Sequence, residues 1–271
     1  MEMPELVWEE YHFKDSDGGK IIFWPHIPCL RMPTKLRSYS NFHGIAFLTS
    51  SIDLKSWIIE AEQEQDSPGI HRDSAIASGT VLGRLMSDLN ELNVDGPVIP
   101  DPEQMRLLLH AKNSRGGMPI YAIEPSLDDE DWIDWQISSA DQQVTYSNLF
   151  LTLTTGRRWK KIRKNAIGSV SSAKAVDADL GAAAASAMTW WIEEQRGISD
   201  KLISSRDGRF VSRIRGSLRD LRNSRVDDSK AKETTLLVPI HQAWLPSIKK
   251  AINSCVAVSY THLTLPTILL V

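Results

Sequence analysis

The hydrophobic and polar positions switch repeatedly between a two-residue and a 3.6-residue period, which predicts strands alternating with helices. Leu6 to Phe13 and Lys20 to Trp24 read as two strands joined by Lys14-Asp15-Ser16-Asp17-Gly18-Gly19, a polar glycine turn, so a hairpin opens the chain. Pro25, Pro28 and Pro33 then punctuate a connection running to Asn41, and His43 to Thr49 forms the next strand. Ser50 and Asp53 resemble a capping pair ahead of a helix that runs to about Gln65 and breaks at Asp66-Ser67-Pro68-Gly69. A second helix is expected from about Asp73 to Asn93, with Val81, Leu82, Leu85, Met86, Leu89 and Leu92 on one face. Within it Ala75, Gly79 and Gly83 recur every four residues, a spacing that lets another backbone approach.

Residues Asp95 to Glu124 read as a β-α-β unit. Gly96-Pro97-Val98-Ile99 is the first strand candidate, Asp101 caps the helix with Pro102 in its first turn, Gly116-Gly117 ends it, and Met118 to Ile123 is the second strand. Val144 to Thr154 fits strand or helix equally. Ala173 to Arg196 and Arg206 to Arg225 are expected helices, the latter with Phe210, Val211, Ile214, Leu218 and Leu221 on one side and arginines on the other. Thr234 to Ile240 is a strand and Pro246 opens a last helix through Ile252. The pattern is that of an α/β fold, a mostly parallel sheet flanked by helices and preceded by an N-terminal β-hairpin. Residues 1–41 hold the hairpin and its proline-rich connection, and 42–257 the α/β domain.

Composition adds two constraints. Of the 271 residues 42% are hydrophobic, enough for a substantial core, and only Cys29 and Cys255 are cysteines, which suits a reducing compartment and leaves no cysteine cluster for a metal. The acidic start lacks the features of a signal peptide, and the uncharged stretch Leu180 to Ile192 is too short to span a bilayer, so a cytoplasmic protein without a membrane partner is expected. The net charge of -3 conceals a split: residues 1–150 carry 24 acids against 11 bases, and residues 151–271 carry 10 acids against 20 bases.

In open α/β sheets ligands gather beyond the carboxyl ends of parallel strands, which nominates Glu124 after the strand ending at Ile123 and His241 after the strand ending at Ile240. A carboxylate and an imidazole meeting there can bind a divalent metal or exchange a proton. His43 sits similarly near an early strand. Phosphate-cradling glycine loops, Gly-x-Ser-x-Gly and His-Glu-x-x-His are all absent. The densest basic run, Arg157, Arg158, Lys160, Lys161, Arg163 and Lys164 around Trp159, can hold a nucleic-acid backbone with Trp159 stacking on a base. It can equally pair with the acidic block Asp128, Asp129, Glu130, Asp131 and Asp134, in the same chain, in a second copy of it, or in an acidic protein partner.

Two resemblances complete the reading. Leu202 to Ile214, with Arg206-Asp207, resembles the Arg-Asp-x-x-Met-Ala-x-x-Ile segment of the TraB (pheromone-shutdown) family, which is grouped with Tiki-type proteases, ChaN haem-binding proteins and erythromycin esterases. Glu103 to Glu124 and Leu237 to Ile248 run parallel to further stretches of that family. Its late Gly-His before Leu-Pro is Ala243-Trp244 here, and its early Gly-Thr-Ala-His is not recognisable near Ile45 to Ser50, so the resemblance implies the architecture with a degenerate site. Val258 to Thr267 resembles a translated transposon-end sequencing adapter, which implies an authentic chain stopping near Ala257, truncated at its carboxyl end, and a foreign segment over 258–271.

The leading expectation is therefore a TraB-like α/β protein acting by binding or regulation and not by turnover. One alternative is a metal-dependent hydrolase or protease using Glu124, Asp207 and His241 as ligands or general base, with Arg206 stabilising developing negative charge. The other is nucleic-acid association through the basic half.

Overall fold

A computed structural model of the protein describes residues 3–38, 40–146, 148, 154–224, 233–254 and the backbone of 267–268. The strands are β1 (Tyr11–Lys14), β2 (Lys20–His26), β3 (Gly44–Phe47), β4 (Ile120–Ala122), β5 (Thr235–His241) and β6 (Thr267–Ile268). The helices are α1 (Ser51–Asp66), α2 (Ile70–Ala77), α3 (Val81–Asn90), α4 (Pro102–Asn113), α5 (Glu130–Gln143), α6 (Thr155–Ile167), α7 (Ala178–Glu194), α8 (Asp200–Asn223) and α9 (Leu245–Ser254). The sheet order is β1-β2-β5-β3-β4-β6; β2, β5, β3 and β4 run parallel, while β1 and β6 are antiparallel edges. The expected α/β class and opening hairpin are both present. The hairpin is no appendage, because β2 is an interior strand of the same sheet.

Period-two sorting of apolar side chains builds two cores on the two faces of this sheet. Ile22, Trp24, Ile45, Phe47, Ile120 and Leu237 face a layer that includes α3, α4, α6 and α7. Ile21, Phe23, Ala46, Tyr121, Leu236, Val238 and Ile240 face α5, α8 and α9. Among the described residues no helix is long and apolar enough to cross a membrane.

Several expected boundaries move, each for a local reason. The helix anticipated over Asp73 to Asn93 is two helices: Gly79 takes a φ of +65°, and Thr80 caps α3 by accepting from the Gly83 N–H. Gly96 to Ile99 forms no strand. Val98 N–H instead donates to the Cys29 carbonyl and Arg31 N–H to the Asp95 carbonyl, and Gly96 lies so close to Cys29 and Leu30 that a side chain has no room. The strand parallel to β4 is β3. Asp177 caps α7 and Ser199 caps α8, so the first starts later and the second earlier than the apolar pattern indicated. Helix α5, capped by Asp129, occupies the acidic segment. Most of 147–153, where strand and helix were left open, lies outside the described residues, as do Cys255 and all of 258–271 except 267–268.

The capping pair Ser50–Asp53 closes reciprocally at the start of α1, and Asp101 with Pro102 opens α4 as anticipated. The close approach expected of the small-residue stripe is realised at Gly83, where a Cβ would stand 2.1 Å from the Ala75 carbonyl oxygen. Replacing Gly83 by Ala should therefore lower stability by about 1–3 kcal/mol, since backbone must yield. Gly208→Ala, in the interior of α8 with open space around it, should instead raise stability by about 0.5–1 kcal/mol. Urea unfolding of the two variants checks both signs; equal midpoints would show that α2 and α3 are not in tight contact.

Candidate metal centre

The carboxyl ends of the parallel strands line one edge of the sheet. β2 and β5 finish in register, His26 opposite His241. Because side chains directly opposite each other in a ladder share a face, the two rings meet, with centroids 5.3 Å apart and planes at 79°. His26 is fully buried and His241 partly so. Aromatic rings enclose the pair: Trp24 stacks on His26 at 5.5 Å, and Trp190 meets His241 edge-on at 5.3 Å.

A carboxylate completes the group. Asp101 caps α4, its Oδ1 accepting from the N–H groups of Glu103 and Gln104, each at 3.0 Å. Its Oδ2 accepts from Cys29 N–H at 2.9 Å and lies 3.6 Å from His26 Nδ1. Cys29 presents that N–H from a left-handed backbone, φ +62°, a conformation that costs a non-glycine residue energy and holds the connection after β2 against α4. One potential ligand atom from each of His26, Asp101 and His241 lies within 4.8 Å of the others.

Two buried ring nitrogens, Nε2 of His26 and Nδ1 of His241, have no hydrogen-bond partner among the described residues. Leaving such atoms unpaired in a dry site is costly, so each marks a place where a ligand bond can form. Burial, and secondarily the neighbouring His26, hold His241 far below the ordinary imidazole range, at about 3. At neutral pH it is therefore the neutral imidazole that a metal requires. Burial, and then Asp101, push the Cys29 thiol well up, so it stays protonated beside the group. The donor set is nitrogen and oxygen. A cavity of about 130 Å³ opens beside His241, walled by Leu48, Thr49, Trp57, Gln104 and Trp244.

The four residues expected to act together do not converge. His241 is in the cluster, but Glu124 stands at the end of β4, with its N–H donating to the Thr49 carbonyl, on the far side of β3 from β5. Its carboxyl is raised above the usual range by burial and then by Asp53, with the Trp132 indole pulling the other way. Arg206 and Asp207 belong to α8 on the opposite face. There they pair at 2.8 Å, and Asp207 Oδ1 also accepts from Trp244 Nε1 at 3.0 Å. The Arg206 guanidinium stacks over the Trp244 ring at 4.8 Å and faces Trp191 at 5.4 Å. Together they hold Trp244, which in turn walls the cavity.

The basic run divides in the same manner. Arg158 grips buried Glu193 through Nε and a second nitrogen at 2.6 and 2.7 Å, and Arg163 lies 3.4 Å from Asp88. Trp159 is only 5% exposed and its indole N–H donates to Asp88 at 2.9 Å, so it offers no face for a base to stack on. Arg157, Lys160 and Lys161 remain exposed. His43 accepts from Thr235 N–H through Nδ1 at 3.0 Å, a structural tie between β3 and β5.

His26 and Asp101 were not singled out for chemistry by the sequence. The signal for His26 is the strand-end rule that nominates His241, but Pro25 places the expected strand end at Trp24, two residues short of the observed one. Proline is tolerated there because β1 stops pairing at Phe23, leaving that side of β2 without a ladder partner. No family model matches the chain, and neither does any curated protein or solved structure.

Two measurements test these environments. Asp207→Ala leaves the Arg206 guanidinium buried without its counter-ion and should cost about 3–5 kcal/mol, read by urea unfolding; a loss below 1 kcal/mol would show the pair to be solvated. Glu124, with a folded-state pKa above its unfolded value, contributes stability that is complete below about pH 4.3 and is lost as pH rises through the higher folded value. Glu124→Gln should therefore flatten the decline of stability above that pH. Parallel wild-type and variant profiles would refute the raised carboxyl.

Proposed function

We propose that this chain is a metal-binding α/β protein whose centre is His26, Asp101 and His241. The observation that carries this reading is that one ligand atom from each of His26, Asp101 and His241 lies within 4.8 Å of the others at the carboxyl edge of a parallel sheet, where His26 Nε2 and His241 Nδ1 have no hydrogen-bond partner among the described residues. Two imidazoles and one carboxylate suit a borderline divalent ion such as Zn²⁺, Co²⁺ or Fe²⁺, and three protein ligands leave positions open for water or substrate. The free buried Cys29 fits a reducing, cytoplasmic setting. The TraB resemblance enters this reading through architecture, with Arg206–Asp207 supporting Trp244.

The cavity beside His241 favours metal-assisted hydrolysis as the use of such a centre. A bound divalent ion supplies a Lewis acid and an acidified water. The chain supplies the rest: aromatic walls that exclude bulk water, and Gln104 and Thr49 as polar groups on the wall of a space only large enough for the reacting end of a small ligand.

Metal-stripped protein titrated with Zn²⁺ or Co²⁺ should take up one ion per chain, and Co²⁺ should give the visible absorption of nitrogen and oxygen ligation. His26→Gln and His241→Gln should each weaken uptake by roughly 100-fold or more. Glu124→Gln should leave it unchanged. Absence of uptake by folded wild-type protein, or loss through Glu124 with retention in the histidine variants, would overturn the assignment.

A further inference from the structure

Independently of the metal centre, the exposed charges of the two outer layers are complementary to each other. Between α3 and α6 runs an open groove of about 800 Å³ whose rims carry Arg84, Arg157, Lys160 and Lys164, all exposed. Its acids compensate only partly: Asp88 is taken up by Trp159, Ser186 and Arg163, which leaves Glu91 as the exposed acid of the lining. Exposed Ile167, 54% accessible, adds an apolar spot at one end. On α6 the cations at 157, 160 and 164 recur at i, i+3 and i+7, one face of the helix.

The opposite layer carries the counterpart. At the start of α5, Asp128, Glu130, Asp131 and Asp134 are exposed, next to Leu127 at 62% accessibility. Arg209 is occupied chiefly by Asp129 and reaches Asp131 only at 3.6 Å, while the Asp131 side chain is 84% accessible. The acidic turn presents Glu130 and Asp134 one helical turn apart, the spacing that matches Lys160 and Lys164.

Helix α5 packs on the sheet face opposite to that of α3 and α6, so a chain cannot seat its own acidic turn in its own groove. We infer that the groove receives the α5 acidic turn of a second copy of this chain, in a head-to-tail contact with Leu127 of one copy near Ile167 of the next. Such a contact uses two different patches, so it extends to further copies or closes a ring instead of ending at a symmetric dimer. Nucleic acid fits the groove less well, because its one tryptophan is buried and committed to Asp88 and the chain as a whole is negative.

Sedimentation velocity on the full-length chain tests this. The wild type should associate with rising concentration at about 0.05 M salt and disperse at about 0.5 M, where exposed charges are screened within a few ångströms. Lys160→Glu/Lys164→Glu and Glu130→Lys/Asp134→Lys, all at exposed positions and checked for native circular dichroism, should each lose self-association by roughly tenfold or more. Mixed together they should regain association, because the intact groove of one variant meets the intact acidic turn of the other and the two charge-reversed patches are complementary as well. A wild type monomeric at low salt, variants that associate like the wild type, or a mixture that stays monomeric would overturn the proposal. So would a monomeric wild type that binds RNA or DNA through Lys160 and Lys164.

Discussion

The in-register parallel pairing of β2 with β5 is the contact on which the carboxyl edge of this protein depends. It joins Lys20–His26 to Thr235–His241, segments at nearly opposite ends of the chain, and sets His26 against His241 at the last step of the ladder. A slip of one residue would turn every side chain on one strand to the other face, separating the imidazoles and exchanging the contents of the two cores. The register is held from both sides, because Ile22, Trp24 and Leu237 are buried in one core while Ile21, Phe23, Leu236, Val238 and Ile240 are buried in the other. Asp101 then reaches the same point through the connection after β2, which its side chain grips at Cys29 while its other oxygen starts α4.

Part of the charge split of the sequence is neutralised inside the molecule. Asp15 in the hairpin turn holds Arg215 of α8 at 2.6 Å, Asp129 holds Arg209, and Arg222 donates to the Gly18 carbonyl. Each of these ties the acidic half to the basic half. Within the acidic half, fully buried Glu103 accepts from Arg37, Arg106 and the Met32 N–H. Buried ion pairs of this kind add little net stability, since desolvation offsets attraction, but breaking one leaves a charge stranded. Their effect is to permit one docking of α8 on the sheet and penalise others. The exposed charges on α3, α5 and α6 are among those left over after this internal pairing.

The fold class was legible because long apolar runs in β2 and β5 and the helical faces of α3 and α8 are dictated by burial on both sides of the sheet. Caps at Ser50 and Asp101 were readable because they act on their own helix within three residues. The site was only half legible. His241 follows an obvious strand, whereas His26 follows Trp24-Pro25, and proline reads as a break unless the end of the neighbouring ladder is known. Asp101 announced itself as a cap, and nothing local tells that its second oxygen points at an imidazole about 75 positions earlier in the chain. Arg206–Asp207 looked chemical because an adjacent arginine and aspartate resemble a known motif; that they clasp Trp244 is decided by the packing of α9 on α8, which no periodicity encodes. The arginines of α8 lie opposite its apolar side in the sequence pattern, yet Arg206, Arg213 and Arg215 are buried.

The place of β5 between β2 and β3 has a consequence for synthesis. β2 and β3 leave the ribosome early, yet in the finished sheet they are not neighbours; the strand that separates them is made some 190 residues after β3. Until that strand is made, neither β2 nor β3 has its central ladder partner. Parallel sheets that close late over long sequence separations fold slowly and expose adhesive edges meanwhile. A polypeptide interrupted before Thr235–His241 therefore lacks the centre of its sheet, however intact its helices.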